Sequence, residues 1–341
     1  MIISPDYCIT DLPVLLLYNI NPSWPQQDIQ DCRNAAHLLM DSLTEIGHSI
    51  QEVCVQSPDL DMYLEGVNPK EYLIFNWCEE LPGIPHSASL VARALDRMGF
   101  TYTGTGSDAL AFSQDKRQVK SSLRSQGIPT PRWQIAATPI SDGWDCYPAI
   151  VKPVLEHCSF GVTREAVVLS PTELAERVQY VLDTFHQPAL VEEFIDGREL
   201  HISVLGDGKL HTLPPAEMDF SAFDNVKDRL CTFESKFDPQ SRSYNMIELH
   251  LPAILTQDEQ HQIEAVALAA YRLVGCRDYA RLDLRLRDGI FYVLDVNPNA
   301  DFSPDTSLAI SAELSGLSYG QLGSLLVNLA AGRHPKSRAN T

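Results

Sequence analysis

Two carboxylates and an asparagine in one short segment of this chain could bind a metal ion. The segment from Arg281 to Pro298 contains an Asp288-Gly289 pair, and apolar and polar residues alternate on both sides of it. This pattern predicts a β-hairpin. If the two strands pair in a suitable register, the oxygen-bearing side chains of Asp283, Asp295 and Asn297 lie together on one face of the hairpin. Such a set suits Mg²⁺, which takes carboxylates together with substrate phosphates. An ordinary solvated strand face is the alternative.

The pairing of the two strands decides whether this site forms. The apolar positions on both strands are even-numbered, namely Leu282, Leu284, Leu286, Tyr292, Leu294 and Val296. Side chains alternate between the two faces of a strand. The two strands therefore share a core face only if even-numbered residues of one pair with even-numbered residues of the other. We therefore expect an odd-length loop or a bulge near Gly289. The candidate ligands then lie together on the opposite face.

The composition limits the classes of function. The chain has 341 residues and a net charge of −19, which argues against nonspecific binding to nucleic acid or to anionic membrane. An anionic small-molecule substrate would need a locally basic pocket. The sequence has no apolar run of about 18 residues, and Met1–Tyr7 lacks the pattern of a signal peptide. The eight cysteines form no Cys-x-x-Cys pair. We therefore expect reduced thiols in a cytoplasmic protein and no zinc site.

The elements needed to position the hairpin fall into three units. Residues 1–113 predict an open α/β domain with strands at Leu12–Tyr18, Gln51–Val55 and Tyr72–Asn76 and helices at Asp28–Ile46 and Ser87–Met98. Residues 114–198 and 199–332 predict two α+β units with helices at Asp115–Gln126, Pro171–Thr184, Asp258–Val274 and Ser318–Ala331. Within the second of these units, the sequence predicts a mobile loop at Phe223–Asn245 and a further loop at Asn299–Ser307, and it predicts a frayed tail at 333–341.

Several lysines stand where they could enter a cleft. Lys116 and Lys120 lie at the start of a predicted helix, and Lys152 ends a strand before Pro153. Taken singly, each is typical of a surface charge.

Other polar residues follow the lysines along the chain. Ser159 and Gly161 form a turn whose backbone N–H groups could approach a phosphate. Glu192 and Glu193 end an apolar strand and could accept hydrogen bonds from an amino group or a ribose. A plain turn and a charged strand end are the alternatives.

In this order the segments resemble the ATP-grasp superfamily, specifically its D-alanine–D-alanine ligase-like branch, over about residues 100–330. The resemblance rests on the ordered motifs Asp115-Lys116-x-x-x-Lys120, Ile-Val-Lys152-Pro, Ser159-x-Gly161, Glu192-Glu193-x-Ile195-x-x-x-Glu199, Lys236, Arg281-x-Asp283, Asp295-x-Asn297 and Ser307-Leu308. It implies an α/β protein with the ATP-grasp fold, in which an N-terminal α/β domain precedes two α+β units that clasp ATP.

The resemblance also implies a role for each matched residue. ATP would be held by Lys116 and Lys152 at its phosphates, by Glu192, Glu193 and Ile195 at the adenine edge, by Glu199 at the ribose and by Lys236 at the γ-phosphate. Two Mg²⁺ ions would bind Asp283, Asp295 and Asn297. Arg281 would stabilise charge at the acyl centre, with Lys236 and the Ser159–Gly161 loop closing over the phosphates. Ser307 and the backbone of Leu308 would bind the carboxylate of an incoming amino acid.

The half of the site that would bind the first substrate departs from the family pattern. The stretch after the first strand lacks the family's glycines and glutamate, and Asn76-Trp77-Cys78-Glu79-Glu80 replaces its His-Gly segment. Asp295 stands where the family usually has Glu. We therefore predict an ATP-dependent C–N ligase whose acceptor is not D-alanine. A D-alanine–D-alanine ligase and a non-catalytic nucleotide-binding protein are the alternatives.

The same branch suggests candidate acceptors and an assembly. It includes dipeptide ligases and the ligases that attach an amino acid to the cyclohexenone of mycosporine-like compounds. A pocket for a ring-bearing acceptor could be lined by Trp24, Trp77 and Glu79, although the tryptophans are equally explained as packing residues. The family is commonly dimeric through its N-terminal domain, so we expect a homodimer.

Overall fold

The fold is built from three sheets, each with its own hydrophobic core. The computed structural model describes residues 11–139 and 143–338. The segment Met1–Tyr7 examined for a signal peptide and residues 339–341 of the predicted tail lie outside these ranges. Within them, none of the helices combines the length and the apolar character that a membrane span requires.

The first sheet is parallel, with strands in the order β2-β1-β3-β4. Its elements are β1 (Val14–Asn19), α1 (Gln26–Ile46), β2 (Ile50–Val55), α2 (Asp61–Leu64), β3 (Leu73–Trp77), α3 (Ala88–Met98), β4 (Thr101–Tyr102) and α4 (Ser107–Gln114). Every residue of β1 is buried, as expected for a strand covered on both faces. Helices α1 and α3 end at Gly47 and Gly99, both in the left-handed conformation that favours glycine.

The second sheet is antiparallel, in the order β5-β8-β6-β7. Its elements follow α5 (Lys116–Ser125) and are β5 (Trp133–Ala136), β6 (Ala149–Pro153), β7 (Val167–Val168), α6 (Pro171–Phe185) and β8 (Ala189–Glu193). Helix α5 begins at Asp115, whose carboxylate accepts hydrogen bonds from the Arg117 and Gln118 amides. This cap fixes the start of the helix that carries Lys116 and Lys120.

The third sheet carries the predicted hairpin. Its strands β9 (Arg198–Gly206), β10 (His211–Thr212), β11 (Ala216–Asp219), β12 (Glu248–His250), β13 (Asp278–Arg287) and β14 (Ile290–Pro298) pair in the order β12-β11-β9-β13-β14, with β10 beside β9. Helix α9 (Gln257–Val274) follows the short helices α7 (Glu234–Phe237) and α8 (Arg242–Met246). The apolar side chains of one sheet face pack with Ile263, Ala267 and Ala270 of α9. The opposite face is therefore left for polar residues.

The hairpin contains the expected irregularity, but at Leu294 and not near Gly289. The turn has two residues, because Arg287 pairs with Ile290. Between Asp283, opposite Asp295, and the next pair the register shifts by one residue, which makes Leu294 a β-bulge. The prediction that Tyr292 and Leu294 face the core is wrong, since the buried residues are Phe291 and Val293.

One segment predicted as a loop contains helices, whereas a second is irregular as predicted. The Phe223–Asn245 stretch holds a 3₁₀ turn at Val226–Asp228 as well as α7 and α8, and Phe223 and Leu230 are buried. The loop expected at 299–307 ends where α10 (Ser307–Leu314) begins, and α11 (Tyr319–Ala331) and α12 (Pro335–Arg338) complete the chain. Whether the first of these segments moves as a lid stays a prediction.

A buried ion pair joins the first sheet to the third. Asp278 is fully buried and accepts hydrogen bonds from the Gly104 amide at 2.7 Å and from both terminal nitrogens of Arg333 at 2.6 and 2.7 Å. Arg333 also donates to the Tyr102 carbonyl at 3.0 Å. The prediction of a frayed tail is therefore wrong for Arg333 and for the buried His334. The boundaries near residues 113 and 198 remain predictions.

Replacing Arg333 tests this junction. We expect Arg333→Met to lower the free energy of unfolding by about 3 kcal/mol, because it leaves Asp278 buried without a counter-charge. Urea denaturation of both proteins measures the difference. The control is Arg93→Met, whose partner Asp108 is 3.8 Å away and fully exposed, so little change is expected. Equal effects of the two substitutions would contradict a structural role for the Arg333 pair.

Candidate active site

A cavity lies between the second and third sheets. It is open to solvent and is lined by residues of β6, β8, β9, β13 and β14 and of the Phe223–Asn245 segment. The predicted residues that line it are Lys116, Lys152, Ser159, Glu192, Glu193, Ile195, Glu199, Lys236, Asp283 and Asp295.

The candidate metal ligands meet on the polar face of the third sheet. Asp283 is directly opposite Asp295, and Asn297 is opposite Arg281. The Asn297 amide donates to Asp283 Oδ2 at 3.1 Å, and Arg281 donates to both oxygens of Asp283 at 2.7 and 3.0 Å. Burial alone would raise the pKa of the Asp283 carboxyl, but Arg281 and His201 hold it well below its usual range. The carboxylate is therefore charged.

These oxygen donors fit a hard cation that completes its shell from a substrate. Asp283, Asp295 and Asn297 offer two carboxylates and one amide within a single patch. Among the residues that the structure describes, no three His, Cys, Asp or Glu side chains form a ready-made metal cage. Mg²⁺ commonly binds one or two carboxylates plus phosphate oxygens, so the patch and a bound phosphate together would satisfy it.

Glu192 is buried between two lysines. Its oxygens lie 2.7 Å from Lys120 Nζ and 3.0 Å from Lys152 Nζ. Burial by itself would raise the pKa of Glu192, but the two ammonium groups outweigh it and lower the pKa to about 2. Burial lowers the pKa of Lys120, whereas the attraction of Glu192 outweighs burial at Lys152 and raises its pKa. The Glu192 side chain thus holds both lysines in place, and its contact with an adenine edge stays a prediction.

Lys120 also connects the second and third sheets. Its ammonium donates to Thr130 Oγ1 at 2.9 Å and to the Val293 carbonyl at 3.0 Å. It therefore ties α5 both to β14 and, through Glu192, to β8. Lys116, which is predicted to contact a phosphate, is buried and donates to the Glu156 carbonyl in the loop after β6.

Arg285 positions Glu199. Both residues are buried, and Arg285 donates to Glu199 Oε2 at 2.9 and 2.8 Å and to the Ile195 carbonyl at 2.8 Å. Burial would raise the pKa of Glu199, but Arg285 outweighs it and the pKa falls to about 2. Oε1 of Glu199 lies 3.5 Å from His201 Nε2. Next to Ile195 in the cavity wall, Glu193 ion-pairs with Arg287 at 2.5 Å.

The loop after β6 is held in an unusual backbone conformation. Cys158, Ser159 and Gly161 all have φ between 53° and 72°. Ser159 donates to the Cys231 carbonyl at 3.1 Å, which joins the loop to the Phe223–Asn245 segment. At Gly161 a side chain would lie 2.7 Å from Phe185, so glycine is needed here for packing as well as for φ.

The remaining predicted residues lie on different elements around the site. Lys236 is exposed on α7 yet lines the cavity. Ser307 is the first residue of α10, and the Leu308 side chain is buried in the core of the first sheet. The amides of the first helical turn have no acceptor within the helix. The N–H group of Leu308 is therefore available to bind an anion, as the prediction requires.

Acidic residues lie beside the part of the cavity wall that contains Cys158. Glu79 follows β3 and keeps contact with solvent. Burial by the surrounding protein, reinforced by Asp301 and Glu80, nevertheless raises the pKa of Glu79 to about 7. Cys158, which lines the cavity, interacts electrostatically with Glu79, Arg281 and Asp301. Trp77 packs against Phe302, with ring centres 6.1 Å apart, so the packing interpretation holds for this tryptophan.

Sequence reasoning missed several residues of the cavity wall, including two charged or titratable ones on its central strands. Arg285 and His201 both line the cavity. The period-two pattern could have found them, because Arg285 is two residues from Asp283 and His201 two residues from Glu199.

Comparisons with known proteins agree with this geometry. Residues 130–328 match the family model described as D-ala D-ala ligase C-terminus. A relative named "Uncharacterized protein y4sG" from Sinorhizobium fredii is 31% identical over 323 residues, covering 91% of this chain and 90% of that protein. D-alanine–D-alanine ligase of Nitratidesulfovibrio vulgaris is 32% identical over 302 residues, covering 86% and 91%. Bacillus anthracis D-alanine–D-alanine ligase, in a crystal structure complexed with ATP, has a TM-score of 0.73 at 20% identity, covering 96% of this chain and 99% of that chain.

The fold is therefore the α/β ATP-grasp fold, which confirms the fold class predicted from the sequence. Within that class the chain belongs to the D-alanine–D-alanine ligase family. It is an ATP-grasp ligase that forms carbon–nitrogen bonds.

The buried Glu192 predicts a pH dependence of stability. We expect Glu192→Gln to lower the free energy of unfolding by about 3 kcal/mol at neutral pH, because Lys120 loses its buried counter-charge. The folded pKa of about 2 lies below the ordinary value of 4.5. The charged form therefore stabilises the fold above about pH 4.5, and this contribution is lost as the pH falls toward 2.

Urea denaturation of wild type and Glu192→Gln over this pH range measures the effect, and the difference between them should narrow in acid. The control is Glu193→Gln, because Glu193 is the neighbouring residue and its ion pair with Arg287 is more exposed. If the difference in unfolding free energy between wild type and Glu192→Gln stayed constant at every pH, the low pKa of Glu192 would be contradicted.

Proposed function

We propose that this ligase couples an amino acid to an acceptor other than D-alanine, converting ATP to ADP and phosphate. The observation that carries the proposal is the acidic end of the site, where Asp301 and Glu80 act electrostatically on Glu79, and where Glu79 and Asp301 act on Cys158 in the cavity wall. The sequence there lacks the family's His-Gly segment. An acceptor with a cationic or hydrogen-bond-donating group suits this end. A mycosporine-type cyclohexenone with an amino substituent and the first amino acid of a dipeptide are the candidates.

The proposed roles follow from the positions of the side chains. Lys116, Lys152 and Lys236 border one cavity and would neutralise the phosphates of ATP. Mg²⁺ held by Asp283, Asp295 and Asn297 would stabilise charge on the transferred phosphoryl group.

The acceptor end would carry out the second half of the reaction. An acceptor oxygen takes the γ-phosphoryl group, and the amine of the amino acid then displaces phosphate as the C–N bond forms. Arg281 would stabilise the charge developing at the carbon under attack. Ser307 and the Leu308 amide would hold the carboxylate of the incoming amino acid at the start of α10. We also propose that the protein is a homodimer.

A D-alanine–D-alanine ligase is the second candidate. It is favoured by the names of the relatives from Methylibium petroleiphilum and Nitratidesulfovibrio vulgaris, each 32% identical to this chain. A purely nucleotide-binding protein is disfavoured, because the phosphate lysines and the metal-binding oxygens are all present.

Phosphate release from MgATP distinguishes the candidates. We expect turnover only when an amino acid is supplied together with a different acceptor. Asp295→Asn should reduce this turnover on the order of a hundredfold or more, since it weakens charge neutralisation at the phosphates. Asp288→Asn is the matched control, because Asp288 lies in the turn of the same hairpin and its side chain is 90% exposed. Full turnover with D-alanine alone would overturn the proposal in favour of the second candidate.

Glu79→Gln tests the acidic acceptor end. For a cationic acceptor, we expect kcat/KM to fall roughly tenfold to a hundredfold, because a hydrogen bond to a charged group is lost. The KM for ATP should not change. Because the pKa of Glu79 is about 7, wild-type kcat/KM for the acceptor should rise with pH through that value, and the variant should lack this rise. Glu71→Gln, an exposed neighbour before β3, is the control. An unchanged pH profile in Glu79→Gln would contradict a contact with the acceptor.

A further inference from the structure

His201 occupies a position in the cavity that the proposed roles do not explain. It lies on β9 directly opposite Asp283, which is itself opposite Asp295 on β14. The three side chains therefore form a row across three strands on the polar face of the sheet. His201 is only 8% exposed, and it lines the cavity.

The imidazole stands between two carboxylates whose main partners are other residues. His201 Nε2 lies 3.5 Å from Glu199 Oε1 and 3.8 Å from Asp283 Oδ1, both longer than an ordinary N–H···O hydrogen bond. Glu199 is held by Arg285 and Asp283 by Arg281. The ring thus fills the gap between the residue proposed for the ribose and the residue proposed for the metal.

A nucleotide with its ribose at Glu199 and its terminal phosphates near Asp283 would place its α-phosphate near this gap. Without a donor there, that phosphate would face two carboxylates, which repel it. We propose that the Nε2–H of His201 donates a hydrogen bond to the α-phosphate of the bound nucleotide. The neutral imidazole is sufficient, because one of its nitrogens carries a proton in that form. The inference rests on the proposed role of the cavity as the nucleotide site.

Calorimetric titration at one fixed pH, without divalent metal, tests the contact. Adenosine, AMP and ADP are titrated into the full chain and into His201→Ala. We expect the variant to bind AMP and ADP on the order of tenfold more weakly, because a charge-assisted hydrogen bond is lost, while adenosine binding is unchanged. His201→Gln, which retains an N–H donor, should recover part of the loss. The control is His211→Ala, a histidine on β10 that is absent from the cavity lining.

Four other binding results would each overturn a different part of the proposal. Equal weakening of adenosine, AMP and ADP would overturn the phosphate contact and assign His201 to the ribose or to the local structure. Unchanged binding of all three would overturn any nucleotide contact by His201 and leave the proposed function standing. A wild-type chain that binds neither AMP nor ADP would overturn the nucleotide site itself. A loss confined to Mn²⁺ binding, detected by electron paramagnetic resonance, would overturn the α-phosphate contact and make His201 a metal ligand.

Discussion

The site depends on the division of one antiparallel sheet into an apolar face and a polar face. Strands β9, β13 and β14 place Leu282, Leu284 and their neighbours against α9, so every second residue must point the other way. That other face carries Asp283, Asp295 and His201 in one row. A shift of register by one residue would bury these charges and expose the core. The hydrophobic packing on α9 therefore fixes the candidate metal patch as firmly as any polar contact does.

Buried charges then hold the second sheet against the third. Glu192 is enclosed by Lys120 and Lys152, and Lys120 reaches the Val293 carbonyl at 3.0 Å. An uncompensated charge at any of these positions would be costly, so each group restrains the others. Arg285 acts in the same way toward Glu199. The cavity wall is thus organised before any ligand arrives, which reduces the reorganisation that binding requires.

Sequence reasoning predicted regular elements well and their exceptions poorly. The helix at 258–274 and the paired hairpin follow from periodicity, and parity alone required an irregularity. Its position at Leu294 did not follow, because a bulge depends on which side chains fill the core beside Val293. The ion pairs of Glu192 with two lysines and of Arg285 with Glu199 were also not predicted. A carboxylate at a strand end looks the same in sequence whether it meets a ligand or a buried lysine, and only tertiary contacts decide between them.

The two halves of the site differ in how they are built. Much of the proposed nucleotide half, including Lys152, Glu199 and Asp283, lies on paired strands, where backbone hydrogen bonds and a packed core fix each side chain. The acceptor half lies where the loop after β3, carrying Glu79, approaches Asp301 and Cys158, and these residues come from three separate connections. Loops tolerate substitution better than strands, because fewer contacts constrain them. An acceptor other than D-alanine, as proposed above, could therefore be accommodated without disturbing the strands that carry Asp283 and Asp295. The lysines and oxygen donors proposed for ATP and Mg²⁺ are thus compatible with an acidic acceptor end.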